Sequence, residues 1–339
     1  MQGPLQSTDD TVKAILSALK TFPTNEVAIV GCHGAGLARA SCEYDLLVIS
    51  RDPIPEKVVS VGGSYARIMF RNEREVRQPR PELSVALTSA VPLRDSSLLL
   101  ATAISDSREH FKLNCVTLME SHLASSLKGI SRVEELLPAE EFREADFWVL
   151  SAAYDYAYAE LLKAEVVPAP SHLLSQMKAL PGVKSESFTA WTEGAGLDLA
   201  SRASCENRLE SLSIIYDVLR TSAASAELMS QTGRYQDADA FSLLKLKAEA
   251  LIGEMESVEC FSYLGRESLR SIADLYALHA SRLGREKDYI STVRELTVGS
   301  DRLISEEVLK SLGLVRSPEI LKNATEELKR SVSALAKKI

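Results

Sequence analysis

Residues 27–50, VAIVGCHGAGLARASCEYDLLVIS, carry the side chains of this chain best suited to chemistry. An apolar run ends on Gly31 and Cys32. Residues 33–42 form a spacer rich in small residues, and Glu43 and Asp45 then stand at the mouth of a second apolar run. Alternate residues of a strand point to one face, so the two carboxylates project together. Paired carboxylates suit a hard divalent cation that completes its shell with water and phosphate oxygens. Two such ions side by side can clamp a polyphosphate and activate an attacking hydroxyl. A glycine turn that feeds a helix start offers backbone N–H groups to phosphate oxygens.

Two familiar glycine turns fit less well. In the dinucleotide-binding pattern GxGxxG, Gly31 and Gly36 fall in register, but His33 takes the place of the glycine that lets backbone approach a pyrophosphate. That unit also needs a full helix before its second strand and carries its acid about 20 residues on. Here the acids come before the second apolar run. No Gly-Lys-Ser/Thr follows the turn, which removes the P-loop.

The stretch resembles instead the nucleotidyltransferase superfamily, whose members share a DNA polymerase-beta-like fold. The family pattern is an apolar strand, glycine followed by glycine or serine, a spacer, then acid–apolar–acid leading into a strand. The matching residues are Val30-Gly31-Cys32 and Glu43-Tyr44-Asp45 before LLVI, with Cys32 for the usual Gly or Ser and Glu43 for the more usual Asp. The resemblance implies that Gly31 and Cys32 hold nucleotide phosphates and that Glu43 and Asp45 bind Mg²⁺, or Mn²⁺ in its place. It also implies a third carboxylate on a later strand. Glu82, which opens ELSVALTSAVPL, is the candidate, as metal ligand or general base, with Asp95 and Glu75 as alternatives. The implied reaction moves a nucleoside monophosphate from an NTP to a hydroxyl acceptor: an RNA end, a protein or a small molecule. The departures at Cys32 and Glu43 leave a second reading open, a catalytically inactive relative acting as a nucleotide sensor or protein-interaction module.

The elements that must position these residues follow from periodicity. Strands are expected at 27–30, 45–50, 57–61, 65–70 and 82–87. A leading helix is expected from Thr8, whose hydroxyl can cap it with Asp9 and Asp10 in the first turn. From about residue 107 onward, helical stripes dominate: Phe111, Cys115, Leu118 and Met119; Phe147, Leu150, Tyr154, Tyr158 and Leu161; Leu209, Leu212, Tyr216 and Leu219. One long helix is expected at 238–261, and a loop at 184–204. The fold class is α+β: a small mixed-sheet domain at 1–106, nucleotidyltransferase-like by the resemblance, followed by a larger α-helical domain at 107–339.

The 339 residues carry a formal charge of −8, which disfavours a duplex nucleic-acid coat because that needs a dense Lys/Arg face. The five cysteines are scattered without a CxxC, so a zinc cluster is not expected, and their pattern fits a reducing cytoplasm. The N-terminus lacks the features of a signal peptide, and no apolar run is long enough for a membrane span. Whether the chain forms a homo-oligomer the sequence leaves open. Arg67, Arg71, Arg74, Arg77 and Arg80 read as a solvated edge with interspersed acids, His33 as an exposed loop histidine, and Trp148, Tyr154, Tyr156 and Tyr158 as helix packing rather than a base-stacking platform.

Overall fold

The computed structural model describes residues 12–17, 19, 26–52, 54–61, 64–180, 185–222, 235, 238–283, 289–290 and 306–337. Thr8, Asp9 and Asp10 lie outside them, while residues 12–17 are helical as expected. The chain divides into two compact units. The first comprises Met1–Asn114 together with Ser225–Lys247, and the second Cys115–Ala224 with Ala248–Ile339. The expected division at 106/107 does not include the 225–247 segment, which belongs to the first unit.

The first unit is built on a five-stranded mixed sheet: β1 (Glu26–Val30), β2 (Tyr44–Ile49), β3 (Lys57–Val61), β4 (Ser64–Arg71) and β5 (Val91–Asp95). Their spatial order is β3-β4-β2-β1-β5, with only β2 and β4 parallel. One-turn helix α1 (Gly31–Gly34) leaves the end of β1, and β2 returns antiparallel to β1 with Val30 opposite Asp45. This hairpin-like return excludes the dinucleotide-binding unit, which needs a parallel crossover. Apolar alternation covers both faces. Ala28, Val30, Leu47 and Ile49 bury one face with Val76, Leu87, Leu100 and Ile104. Val27, Ile29, Leu46, Val48, Ile68 and Phe70 bury the other with Ile15 and Leu19. Sequestration on both sides explains why β2 reads as a nearly unbroken apolar run.

Three expectations fail, each for an identifiable reason. Residues 82–87 are not a strand but part of α3 (Pro81–Leu87), which follows the short α2 (Glu73–Arg77). The alternation of Leu83, Val85 and Leu87 imitates a strand. Pro81 at the first helical position and Glu82 in the first turn are the helix-start signals that prevail. The true fifth strand is β5, whose Pro92 is tolerated because β5 lies at the sheet edge beside β1. Helix α4 (Leu99–Glu109) then packs Leu100, Ala103 and Ile104 on the sheet face that carries Ala28 and Val30.

The second unit is helical. It contains most of α5 (Phe111–Leu136), then α6 (Phe142–Lys163), α7 (Leu173–Ala179), α8 (Ser185–Gly194) and α9 (Arg202–Ser222). The end of α10 (Ala238–Gly253), α11 (Ser257–Leu283), α12 (Glu306–Ser311) and α13 (Pro318–Ala336) complete it. The 184–204 segment, expected to be a loop, contains α8. Its Trp191 is fully buried, and Gly194 lets α8 approach Leu328 and Ala153 where a Cβ would lie 2.6 Å from a Leu328 methyl. Tertiary packing of that one indole outweighs the weak local signal. The single helix expected over 238–261 is two, α10 and α11, separated at Met255, which adopts φ +58. Helix α6 is buried nearly all round: Tyr154, Tyr156 and Tyr158 are core residues, and the Tyr154 hydroxyl donates to the Ser262 carbonyl at 2.5 Å. A buried ion pair fastens Arg316 to Asp146, with Arg316 Nε 2.7 Å from Asp146 Oδ1. No helix among the described residues is long and apolar enough to cross a membrane.

Candidate functional site

The end of β1 and the start of β2 meet at Gly31. This residue adopts φ +64, a left-handed conformation that disfavours any side chain. A Cβ here would also lie 2.2 Å from Asp45 Oδ2. Glycine is thus required twice, by the turn and by the Asp45 carboxylate pressed against its Cα. The antiparallel register that sets Val30 opposite Asp45 produces this contact, and Cys32, Cys42 and Glu43 gather beside it.

Four of the five expected site residues are therefore neighbours: Gly31, Cys32, Glu43 and Asp45. Glu82 is placed elsewhere. It is exposed in the first turn of α3, whereas Glu43 and Asp45 are buried. Asp95 caps α4 by accepting from the N–H groups of Leu100 and Ala101, and Glu75 forms a capping box with Asn72 at α2. Both alternatives have helix-capping work of their own.

Two cations that the sequence did not assign to the site occupy the acid pair. Arg67 lies on β4 directly across from Asp45 in the parallel β2–β4 register. Its Nε donates to Asp45 Oδ1 at 2.7 Å, and its guanidinium stands 3.8 Å from Glu43. Lys247, on the part of α10 belonging to the first unit, brings Nζ to 2.5 Å from Glu43 Oε2. Glu43, Asp45 and Lys247 are all buried, at 6%, 5% and 4% exposure. Arg67 is thus not one of the solvated arginines. Its position across from Asp45 becomes visible only when β4 is seen to pair with β2. Lys247 gave no local signal, because it lies some two hundred positions from Glu43 in the chain.

The electrostatics divide the two acids. Burial opposes the Glu43 charge, but Lys247 and Arg67 together hold its carboxyl down at about 2. Burial pushes Asp45 up to about 6, with Arg67 opposing and the Glu43 charge adding to the rise. The carboxylates hold Arg67 well above its ordinary value against the burial that would lower it. This is the expected behaviour of two acids sharing one buried site: one keeps its charge and the other is easily protonated.

Cys32 and Cys42 form a second pair. Their sulfurs lie within 4.8 Å of each other. The hydrogen bond to Cys42, burial and nearby negative charge all push the Cys32 thiol up. Cys42 Sγ also accepts the Arg39 N–H at 3.4 Å. His33 is not a free loop histidine. It stacks on Tyr44, with ring centroids 3.9 Å apart, and its Nε2 lies 3.3 Å from the Cys42 carbonyl oxygen.

The donor set can be weighed against the Mg²⁺ that the resemblance implies. Glu43 and Asp45 face two cations at contact distance, the position beside Asp45 on the next strand is Arg67, and the third carboxylate nearby, Glu56, lies 4.0 Å from that same Arg67 Nε. Mg²⁺ demands several oxygen ligands in strict octahedral geometry. In this arrangement each acid of the pair already has a cationic partner, and a divalent ion entering it would have to displace Lys247 or Arg67. The residues as held do not fit that ion.

No family model matches the chain, and no curated protein matches it. Among solved structures, a nucleotidyltransferase-like protein from Exiguobacterium sibiricum 255-15 aligns over 86% of this chain and 91% of its own, with 14% identity and a TM-score of 0.35.

Proposed function

We propose that the first unit is a nucleotidyltransferase-like domain whose acid pair has become an internal ion-pair lock, and that the protein works as a non-catalytic binding module rather than as a transferase. The observation that carries this reading is the engagement of Glu43 by Lys247 and of Asp45 by Arg67. A buried ion pair of this kind fixes one arrangement of the groups that make it, here strand β2 against α10, and a cationic nitrogen stands within 4 Å of Glu43 Oε1, Glu43 Oε2 and Asp45 Oδ1. The third acid beside the pair is Glu56 rather than the outlying Glu82, and its Oε1 also lies against Arg67, 4.0 Å from Nε.

The enzymatic reading, Mg²⁺-dependent transfer of a nucleoside monophosphate to a hydroxyl, has one specific observation in its favour. The Asp45 carboxylate still packs on the Gly31 turn, as a metal-and-phosphate site would require.

Two measurements separate the readings. Purified protein is incubated with each α-labelled NTP, Mg²⁺ or Mn²⁺, and RNA, protein and small-molecule acceptors. Thermal unfolding is followed with NTP in the presence and absence of Mg²⁺, since a ligand bound only by the native state raises its stability. The expected result is no transfer and no NTP stabilisation that depends on Mg²⁺. Arg67→Met with Lys247→Met should then create Mn²⁺ binding that the natural protein lacks, read by calorimetry. Label transfer by the natural protein that Asp45→Asn abolishes would overturn the proposal and establish the enzyme.

A further inference from the structure

The thiols of Cys32 and Cys42 at the Gly31 turn are used by neither reading, since a phosphate there would be held by the backbone N–H of Cys32. Cys32 occupies the second position of α1, and Cys42 directly precedes Glu43, so the two close the ends of the 33–41 spacer. The β1–β2 return, whose pairing ends at Val30 opposite Asp45, brings their sulfurs within 4.8 Å of each other. A disulfide needs the sulfurs at about 2 Å, a distance that side-chain rotation at two neighbouring cysteines can reach. Beyond Gly34 the spacer is irregular, and its residues 35–38 and Ala40 are exposed. A short exposed segment of this kind opens locally at far lower free energy than the core, giving a solute access to the sulfurs. The helical unit supplies a built-in contrast. Cys32 and Cys42 are buried at 7% exposure each beneath that spacer, whereas Cys205 and Cys260, also hydrogen-bonded to one another, are fully buried between two long helices, α9 and α11, with no such segment over them among the described residues.

We infer that Cys32 and Cys42 form a redox-active dithiol, oxidised to an intramolecular disulfide by a small-molecule disulfide of the glutathione type. Cys42, whose sulfur accepts a backbone N–H, attacks first as the thiolate. Its sulfur bonds to one sulfur of the oxidant, and the other leaves as a thiolate. Cys32 then loses its proton to solvent and attacks the Cys42 sulfur. The protein disulfide forms, the second small thiolate departs, and both released thiolates take up protons. The dithiol loses two electrons and two protons, and the small disulfide becomes two thiols. The product staples the end of β1 to the start of β2 across the spacer. It depends on neither reading of the acid pair, because its readout is the state of the sulfurs.

The test uses the full chain under native conditions, equilibrated in buffers of defined reduced and oxidised glutathione, acid-quenched and alkylated. Tryptic cleavage after Lys20, Arg39 and Arg51 places the two cysteines in separate peptides, 21–39 and 40–51. Oxidation should remove both alkylated peptides and yield one linked species, while Cys205 and Cys260 remain alkylated. Cys32→Ser should stop at a mixed disulfide on Cys42. Peptides that stay separately alkylated or separately glutathionylated at every ratio, or a link that forms only in urea-unfolded protein, would overturn the inference. A Cys32→Ser protein that leaves Cys42 unmodified would overturn the order of attack.

Discussion

Replacing Lys247 by Met removes one charge from the buried acid site and keeps most of the side-chain volume. Lys247 Nζ lies 2.5 Å from Glu43 Oε2, and both residues are nearly inaccessible. At an effective dielectric near 20, two unit charges about 4 Å apart attract by about 4 kcal/mol. Much of that only offsets the desolvation of both ions. Removing a single partner, however, leaves the other charge buried with its attraction gone, at a cost of about 3–5 kcal/mol. Arg67, at 3.8 Å from Glu43, moderates the loss toward the lower figure. Lys247→Met should therefore cost about 3 kcal/mol, and Glu43→Gln a similar amount, since it strands the lysine. The double variant removes both charges and should be more stable than either single variant. The assay is native-state hydrogen exchange on peptides covering β1 and β2, which reads the opening free energy of the sheet itself. A Lys247→Met cost below about 1 kcal/mol, the worth of a surface pair, would refute the reasoning. So would a double variant whose loss equals the sum of the two single losses.

Gly31→Ala should cost at least about 2 kcal/mol, from the left-handed backbone and from the added methyl meeting Asp45. Urea denaturation checks it, and Asp45→Ala in the same chain should recover part of the loss. A change within about 0.5 kcal/mol would show that the turn tolerates a side chain. The acid pair also predicts a two-sided pH dependence. Glu43 is held at about 2 against an ordinary 4.5, so the unfolded chain binds more protons between these values, and stability is lost as pH falls through that window. Asp45 is raised to about 6 from 3.8, so the folded chain binds more protons between them, and stability falls as pH rises through that window. Denaturation midpoints against pH should lose the acid limb in Glu43→Gln and the upper limb in Asp45→Asn. An unchanged upper limb in Asp45→Asn would remove Asp45 as its source.

Much of the first unit is legible in the chain because its signals are local. Strand β1, the Gly31 turn and β2 follow from apolar runs punctuated by one glycine, and the shared face of Glu43 and Asp45 follows from the two-residue repeat of a strand. Helices α5, α6 and α9 are legible from their apolar stripes. The errors arise where local signals conflict or fall silent. The 82–87 segment alternates like a strand but begins like a helix. The 185–194 helix owes its place to the burial of Trp191 and the close approach at Gly194.

What the sequence determined by itself is the set of reactive groups at the turn: a glycine, two acids on one face, and two cysteines bracketing a short spacer. These lie close along the chain, and strand geometry orders them. Tertiary structure decided what those groups face. Parallel pairing of β4 with β2 sets Arg67 against Asp45, and the return of residues 225–247 to the first unit carries Lys247 to Glu43. Neither contact has a sequence signature, because each joins segments whose separation in the chain says nothing about their distance in space. Yet these two contacts decide whether the carboxylates are open to a metal or spent on a lock, since a buried charge is governed by the nearest opposite charge that can reach it.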